Sequence, residues 1–325
     1  MTTVDVGSRL HFGFGNLSLA HERLYGALGV ALDQPRLSLQ ASRAEAIDAP
    51  ERCVPAVETV CELFDLPGAA VTVTDPLPQH VGLGSGTQLA LAVAVAVGGA
   101  YERTVDVRAL APDLGRGGRS GIGVATFERG GFVVDGGHPT ARFTTDRPAD
   151  GDWTVPPIAA RHPIPDDWRF LVVLPAADPG RSGAAEDESI RGVVERADPA
   201  PADRIAGTIT RKVLPAIATG SADRFGSAVA EIGRLNGTWY ADEQGGVYRP
   251  PVGELVDALS AEPAVYGAGQ SSWGPAVYGV TDVDHAEAAH EAAERALAAA
   301  GLDGEVVVAA GRNEGARTVG SDYSA

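Results

Sequence analysis

The chain has 325 residues, of which 44% are hydrophobic and 21% charged, a composition that excludes disorder and is typical of a globular protein with two domains. It carries 26 basic and 43 acidic residues, a net charge of −17, and the resulting negative field excludes general binding of nucleic acid. The longest small-apolar run, residues 89–100, is too short to cross a bilayer, and the N-terminus shows no basic-then-apolar leader. We therefore expect a cytoplasmic protein that binds neither membrane nor nucleic acid.

Arginine supplies almost all of the positive charge, because Lys212 is the single lysine of the sequence. An acidic surface with so little lysine stays hydrated where salt screens charge repulsion, so the composition indicates a salt-adapted, halophilic source. Any anionic substrate must then be received by a local cluster of arginines and backbone amides, against the global charge.

The first half of the chain alternates strand patterns with helix patterns. Its predicted elements are strands at 4–15, 25–35, 36–42 and 69–78, helices at 53–66, 87–101 and 106–118, and a strand hairpin at 124–137. Cys53 and Cys61 fall in one of these helices, eight residues apart, which favours reduced side chains over a disulfide or a metal site.

A polar, proline-bearing stretch at residues 140–167 interrupts this pattern and is the expected domain boundary. We place an N-terminal domain at 1–160 and a C-terminal domain at 161–325. The second half is predicted to contain strands at 168–175 and 304–311 and helices at 202–220, 222–240, 252–261 and 284–300.

Two glycine-rich segments lie in the first half. Residues 82–87, here called the first glycine loop, combine Gly82, Gly84 and Gly86 with the hydroxyls of Ser85 and Thr87, directly before a helix. A helix N-terminus with closely approaching backbone amides is suited to a phosphate, although a purely structural strand-to-helix turn has the same composition.

The second segment, residues 114–123, is called the arginine loop because it holds Arg116 and Arg119 among glycines. Guanidinium groups grip phosphate or pyrophosphate in a bidentate manner, and the alternative is a solvated basic loop.

Further candidates lie at the two ends of the chain and beside the predicted hairpin. The N-terminal strand carries Arg9 and His11 on one side and leads to Asn16, a second glycine loop at residues 267–275 contains Gln270 and Ser271, and Asp135 ends a strand before a glycine turn. His11 is either a half-buried strand residue or part of the site. Asp135 either caps its turn or acts as an acid, a base or a metal ligand.

In this order the segments resemble the GHMP kinase superfamily of small-molecule kinases. The resemblance implies an α+β, two-domain GHMP-kinase-like fold, with an N-terminal α/β layer like ribosomal protein S5 domain 2 and a ferredoxin-like C-terminal α+β domain. In those kinases a Ser-Gly-apolar-Asp segment supplies a catalytic base, but the corresponding position here is Gly123.

The sequence is more closely similar to β-ribofuranosylaminobenzene 5'-phosphate synthases, a non-kinase branch of archaeal enzymes. The matching blocks are "SRLHFGFGNLS", "YGALGVALDQPRL", "PQHVGLGSGTQLALAVA", "GRGGRSGIGVATFERGGFVVDGG", "NGTWYADEQGGVY" and "GAGQSSWGPAVYG". The resemblance implies that 5-phosphoribosyl 1-pyrophosphate ribosylates 4-aminobenzoate or 4-hydroxybenzoate at carbon, releasing CO2 and pyrophosphate, in the biosynthesis of tetrahydromethanopterin-type cofactors.

Roles follow as expectations. The first glycine loop with Arg116 and Arg119 is expected to bind phosphate or pyrophosphate, and Arg9 or His11 the benzoate carboxylate or its para substituent. Asp135 is expected to be catalytic and to hold Mg2+, and Asn16, Gln270 and Ser271 are expected to contact substrate. We expect no organic cofactor and, from the superfamily, a possible homodimer.

Two alternatives remain at this stage. An ATP-dependent kinase with its base moved to Asp135 would form ADP, and a catalytically idle, ligand-sensing homologue would bind substrate without turnover.

Overall fold

The computed structural model describes residues 1–141, 149, 151–178 and 184–320. Two antiparallel sheets with helices packed on them make up the fold. The strands are β1 (Thr2–Asn16), β2 (Arg23–Arg43), β3 (Ala69–Asp75), β4 (Phe132–Asp135), β5 (His138–Pro139), β6 (Ile158–His162), β7 (Trp168–Pro175), β8 (Gly267–Gln270), β9 (Val277–Asp282), β10 (Gly304–Ala310) and β11 (Arg317–Gly320). The helices are α1 (Val54–Phe64), α2 (Ser85–Ala100), α3 (Val107–Leu110), α4 (Ile122–Arg129), α5 (Ala184–Arg196), α6 (Ala200–Thr208), α7 (Leu214–Thr219), α8 (Ala222–Gln244), α9 (Val252–Ser260) and α10 (Ala286–Ala299).

The first sheet has the strand order β11-β1-β2-β4-β6, with β3 and β5 also paired to β2. Helix α2 packs against β1 and β2 and is apolar on almost every side, because α1 and α4 cover its other faces. Among the described residues, no helix combines the length and the apolar character that spanning a membrane requires.

The second sheet has the order β10-β7-β9-β8, and helices α8, α9 and α10 pack on it. The two sheets share one core. The ring of Phe12 on β1 lies 4.9 Å from that of Tyr278 on β9 and 5.8 Å from that of Phe225 on α8, measured between ring centroids. The last described strand, β11, returns from the C-terminal half to pair with β1, so the first sheet takes residues from both halves. The domain division at residue 160 stays a prediction.

The expected hairpin at residues 124–137 is wrong, because residues Ile122–Arg129 form helix α4 and only β4 is a strand. Every position from Ile122 to Phe127 is buried. The alternation of residue types that suggests a strand therefore does not correspond to one buried and one exposed face. The helix ends at Gly130, whose φ of 60° is readily adopted only by glycine.

Other boundaries also differ from the predicted ones. The helix expected at 106–118 is limited to α3, Val107–Leu110. The strands expected at 25–35 and 36–42 are one continuous strand, β2. The helix expected at 202–220 is divided into α6 and α7 by a π-helical turn at Ile209–Val213, shortly before Pro215. The expected boundary stretch, 140–167, contains strand β6, which pairs with β4.

Candidate functional site

A cavity of about 840 Å3 opens between the first glycine loop, the arginine loop and the second glycine loop. It brings together nine of the residues predicted for the site, namely Arg9, His11, Gly82, Gly84, Ser85, Gly86, Thr87, Arg116 and Arg119. Among the described lining residues are four arginines, since Arg52 joins the predicted three, and one acidic residue, Asp113. In a chain of net charge −17 this concentration of positive charge is local to the cavity.

The first glycine loop presents a helix N-terminus to the cavity. Gly84 is the N-cap of α2 with φ 78°, a left-handed conformation that favours glycine, and no side chain caps the helix. The carbonyl of Gly84 accepts the N–H groups of Thr87 and Gln88, both at 3.1 Å, so the turn is closed behind the leading amides of Ser85 and Gly86. These leading amides and the helix dipole attract an anion.

The side chain of Arg9 and the second glycine loop hold the first glycine loop in place through hydrogen bonds. The Arg9 guanidinium donates to the carbonyl of Gly82 at 2.6 Å, and the Ser271 hydroxyl donates to the same carbonyl at 2.8 Å. The backbone N–H of Arg9 donates to Leu83 at 3.1 Å. Strand β1 and the second glycine loop therefore fix the position of the first glycine loop.

The arginine loop is held by side chains that bind its carbonyls from behind. The indole N–H of Trp153 donates to the carbonyl of Arg116 at 2.9 Å, and Nε2 of the buried His138 lies 3.1 Å from the carbonyl of Gly117. These two hydrogen bonds fix the backbone of the loop, and Arg116 and Arg119 line the cavity. The Arg116 guanidinium lies beside Gly86, at the first turn of α2, so the two loops converge.

Asp135 is buried and lies outside the residues that line the cavity. One carboxylate oxygen of Asp135 accepts the N–H of Gly121 at 2.8 Å, and the other accepts the N–H of Gly137 at 2.9 Å. The Ser120 hydroxyl also donates a hydrogen bond to this carboxylate. Burial raises the pKa of Asp135 to about 6, although these hydrogen bonds oppose the rise. The geometry gives Asp135 the task of holding the arginine loop at Ser120 and Gly121.

Asp135 does not fit a magnesium site. Both of its oxygens already accept backbone N–H groups, and the described residues contain no group of three or more His, Cys, Asp or Glu side chains arranged for a metal. A magnesium ion associated with this cavity would therefore depend on the oxygens of a bound substrate.

His11 lies at one end of the cavity with its ring edge against Phe14, at a centroid distance of 5.0 Å. Burial, and secondarily the charge of Arg9, lower the pKa of His11 to about 3, so the imidazole is neutral at physiological pH. Its Nδ1 is shielded from solvent and has no hydrogen-bond partner within the described part of the chain. A buried polar atom without a partner is costly, and a ligand group can remove that cost.

The three residues expected to contact substrate have other surroundings. Asn16 is buried and binds the backbone of Ser18 and Arg23, within the β1–β2 connection and outside the cavity lining. Ser271 is fully buried beneath the first glycine loop, and Gln270 lines only a smaller neighbouring cavity. Ser272 and Trp273, the next residues along the chain, reach the main cavity instead.

Four residues that are not among those predicted belong to the site or support it: Phe14 and Arg52 line the cavity, and Trp153 and His138 hold the arginine loop. Arg52 stands in a short helical turn before α1, His138 in the two-residue strand β5 and Trp153 in the segment between β5 and β6, and the last two touch the arginine loop only in the folded chain. No motif marks them. Phe14 could have been found, because it follows Arg9 and His11 on the strand that leads into the site.

Gly123 lines the cavity and packs directly against the first glycine loop. A Cβ at this position would lie 2.9 Å from Cγ2 of Thr87 and 3.1 Å from its Cβ, closer than side-chain carbons approach. The place where the resembling kinases carry an aspartate therefore has no space for a side chain while Thr87 stays where it is.

Comparison with known proteins agrees with this architecture. The family model for the GHMP kinases N-terminal domain matches residues 51–131, and that for the GHMP kinases C-terminal domain matches residues 213–299. The chain is 33% identical to a beta-ribofuranosylphenol 5'-phosphate synthase of Methanothermobacter thermautotrophicus, over 96% of this chain and 97% of that protein. It is 32% identical to the protein of the same name from Archaeoglobus fulgidus, over 97% and 98% of the two chains.

Solved structures show the same fold at low identity. A phosphomevalonate kinase of Streptococcus pneumoniae matches with a TM-score of 0.66 and 13% identity, over 95% of this chain and 99% of the kinase. A mevalonate pyrophosphate decarboxylase of Streptococcus pyogenes matches with a TM-score of 0.66 and 10% identity, over 96% and 97%. The predicted two-domain GHMP-kinase-like fold is thereby confirmed.

Proposed function

Because the chain belongs to the family of β-ribofuranosylphenol 5'-phosphate synthases and carries both GHMP kinase domains, we propose that it is a phosphoribosyltransferase that releases CO2. The donor is 5-phosphoribosyl 1-pyrophosphate and the acceptor a para-substituted benzoate. The product is an aryl riboside phosphate, and the pathway proposed for it is the biosynthesis of tetrahydromethanopterin-type cofactors.

The observation that carries this proposal is the paired anion site of the cavity. The N-terminus of α2 and four arginines meet there in a strongly acidic chain, where the first glycine loop and the arginine loop converge. The donor carries two separate anionic groups, the 5-phosphate and the 1-pyrophosphate. We assign one to the first glycine loop with Arg116 and the other to the arginine loop with Arg119.

The chemistry requires positioning and charge stabilisation. The bond between C1 of the ribose and the pyrophosphate oxygen breaks, and the ring carbon that bears the carboxylate forms a bond to C1. The bond to the carboxylate then breaks, its electron pair restores the aromatic ring, and CO2 leaves. Arginines and backbone amides stabilise the charge that develops on the departing pyrophosphate, and the cavity wall aligns the two reactants. Mg2+ is proposed only as a companion of the pyrophosphate.

The relatives are named for a phenol product, so we propose 4-hydroxybenzoate as the preferred acceptor. A ring with a para hydroxyl attacks more readily when that hydroxyl shares its proton with an acceptor. Neutral His11, with an unpaired Nδ1, can accept this hydrogen bond. The benzoate carboxylate then points towards the arginine-rich part of the cavity.

A kinase activity is less well supported by the same site. Gly123 cannot act as a base, and Asp135, to which the base could have moved, is buried behind the arginine loop with both oxygens engaged. Asp113 is the one acidic residue of the described lining, so a kinase reaction would have to use it as the base.

The proposal is tested by incubating the protein with phosphoribosyl pyrophosphate, Mg2+ and 4-hydroxybenzoate or 4-aminobenzoate in molar KCl. We expect an aryl riboside phosphate by mass spectrometry and an equal amount of pyrophosphate, with 4-hydroxybenzoate the faster acceptor. A parallel incubation with ATP in place of the donor serves as control. Formation of ADP, or ligand binding without any turnover, would contradict the proposal.

A further inference from the structure

A second cavity of about 50 Å3 lies beside the main one, beyond His11. The two cavities share His11, Phe14, Ser272 and Trp273 as lining residues. The far wall of the smaller one, here called the side cavity, is formed largely by helix α8 and by the segment that follows it. This volume can hold a few water molecules or a small substituent, but not an aromatic ring.

The junction between the cavities is bounded by aromatic edges. The ring of Phe14 contacts that of His11, and the indole of Trp273 lies 4.5 Å from the ring of Tyr240, measured between centroids. Both Phe14 and Trp273 are buried and held by these neighbours. Rigid aromatic walls of this kind accommodate a flat apolar ring.

The amide side chains of the side cavity are already engaged. Asn236 accepts the N–H of Phe14 at 2.7 Å and donates to the carbonyl of Phe14 at 2.9 Å. Gln270 accepts the N–H of Arg249 and donates to the carbonyl of Ser272, each at 3.1 Å. The His11 imidazole, in contrast, has an Nδ1 without a partner among the described residues.

We propose that the acceptor ring lies between Phe14 and Trp273, with its para substituent hydrogen-bonded to His11, and that the side cavity receives whatever that substituent carries. The side cavity is thus the subsite that sets the size of the para group. This inference rests on the proposed function for the identity of the acceptor. It adds where the para group binds and which residues limit it.

Gly233 of α8 offers a probe of this subsite. A methyl group at this position would lie 3.4 Å from the hydroxyl of Tyr278 and 4.0 Å from that of Tyr248, which are ordinary contacts. Gly233→Ala therefore reduces the side cavity without steric conflict, and alanine favours a helix over glycine. Gly192→Ala on α5 makes the same change in a helix away from both cavities and is the matched control.

The test compares kcat/KM for 4-hydroxybenzoate and 4-(methylamino)benzoate, which adds one methyl to a para N–H group. We expect the wild type and Gly192→Ala to use both acceptors. Gly233→Ala is expected to lose about tenfold or more with the methylated acceptor relative to the hydroxylated one, because one methyl that no longer fits is worth that much. Rejection of the methylated acceptor by the wild type, or an equal effect of Gly233→Ala on both acceptors, would overturn the inference.

Binding of the acceptors, measured by calorimetry in the presence of pyrophosphate, tests the side cavity independently of the proposed function. If no acceptor turns over, the proposed function fails, yet the ranking of dissociation constants still tests the side cavity. In His11→Phe we expect the preference for 4-hydroxybenzoate over unsubstituted benzoate to fall by roughly three- to tenfold, the worth of one hydrogen bond. An unchanged preference would overturn the assignment of His11.

Discussion

Gly123 and Thr87 illustrate how a single contact separates this site from that of a kinase. Thr87 of the first glycine loop occupies the space that a side chain at position 123 would need, with 2.9 Å between Cγ2 of Thr87 and the position of a Cβ. Because position 123 carries no carboxylate, the groups beside the first glycine loop are arginines and backbone amides. Such a site stabilises departing negative charge without accepting a proton, which suits loss of pyrophosphate.

Arg119 tests this assignment at the level of one residue. Arg119→Ala is expected to raise KM for phosphoribosyl pyrophosphate about tenfold to a hundredfold, because a hydrogen bond to a charged group contributes roughly 1.5–3 kcal/mol. KM for the benzoate should stay near that of the wild type. Arg295→Ala removes the same charge from a surface pair with Glu262 and serves as control. Wild-type donor KM in Arg119→Ala would contradict the assignment.

Asp135 predicts a pH dependence of stability. Its pKa is raised from 3.8 to about 6 by burial, so the folded chain holds this proton more tightly than the unfolded chain. The stabilisation is therefore complete below about pH 4 and is lost as the pH rises through about 6. The free energy of unfolding of the wild type minus that of Asp135→Asn should fall over this range in urea titrations at constant KCl. A difference that is flat, or that rises with pH, would contradict the burial argument.

Among the structural elements, the arginine loop shows most clearly how this site is built from separate parts of the chain. Its carbonyls bind Trp153 and His138, and its end at Ser120 and Gly121 binds Asp135. These contacts come from the end of β4, from β5 and from the segment between β5 and β6, so the loop is positioned only once the first sheet has assembled.

His138 is predicted to act through this loop. His138→Ala should raise KM for the donor about fivefold, the worth of roughly one net hydrogen bond to the Gly117 carbonyl, with little change in KM for the benzoate. His138→Gln can donate to the same carbonyl and should restore much of the loss. If both variants lower stability but leave donor KM unchanged, His138 has no positioning role.

The sequence allowed the prediction of those parts of the site that are local in the chain. Spacing and composition are enough to predict a helix N-terminus, and α2 begins at Ser85 after Gly84. The sequence leaves open whether Asp135 caps its turn or serves catalysis or a metal, because it does not show that the amides of Gly121 and Gly137 bind its carboxylate. Helix α4 was mistaken for a hairpin because its buried surroundings remove the polar face that marks a helix.

At the scale of the whole molecule, charge is the dominant feature. A net charge of −17 repels itself at low ionic strength, and the screening length falls from about 10 Å at 0.1 M salt to about 3 Å at 1 M. The arginine-lined cavity lies within this field, so salt is expected to act on the whole fold as well as on the site.

The unfolding temperature should therefore rise by several degrees between 0.1 and 2 M KCl, as measured by calorimetry. Glu58 and Glu62 are exposed four residues apart on α1, where like charges repel each other. The double variant Glu58→Gln/Glu62→Gln should be more stable than the wild type at 0.1 M KCl and should respond less to added salt. An unfolding temperature that is independent of KCl would contradict a salt-adapted design.

The central claim, that the cavity joins a phosphoribosyl donor to a benzoate ring with loss of its carboxylate, is tested most directly by release of labelled CO2. The measurement uses carboxyl-labelled 4-hydroxybenzoate with phosphoribosyl pyrophosphate and Mg2+ in molar KCl, and omits the donor in the control. We predict CO2 in equal amount to pyrophosphate, only with donor present, and strongly reduced in Arg119→Ala at low donor concentration. Retention of the label in the aromatic product, or in unreacted benzoate, would contradict the claim.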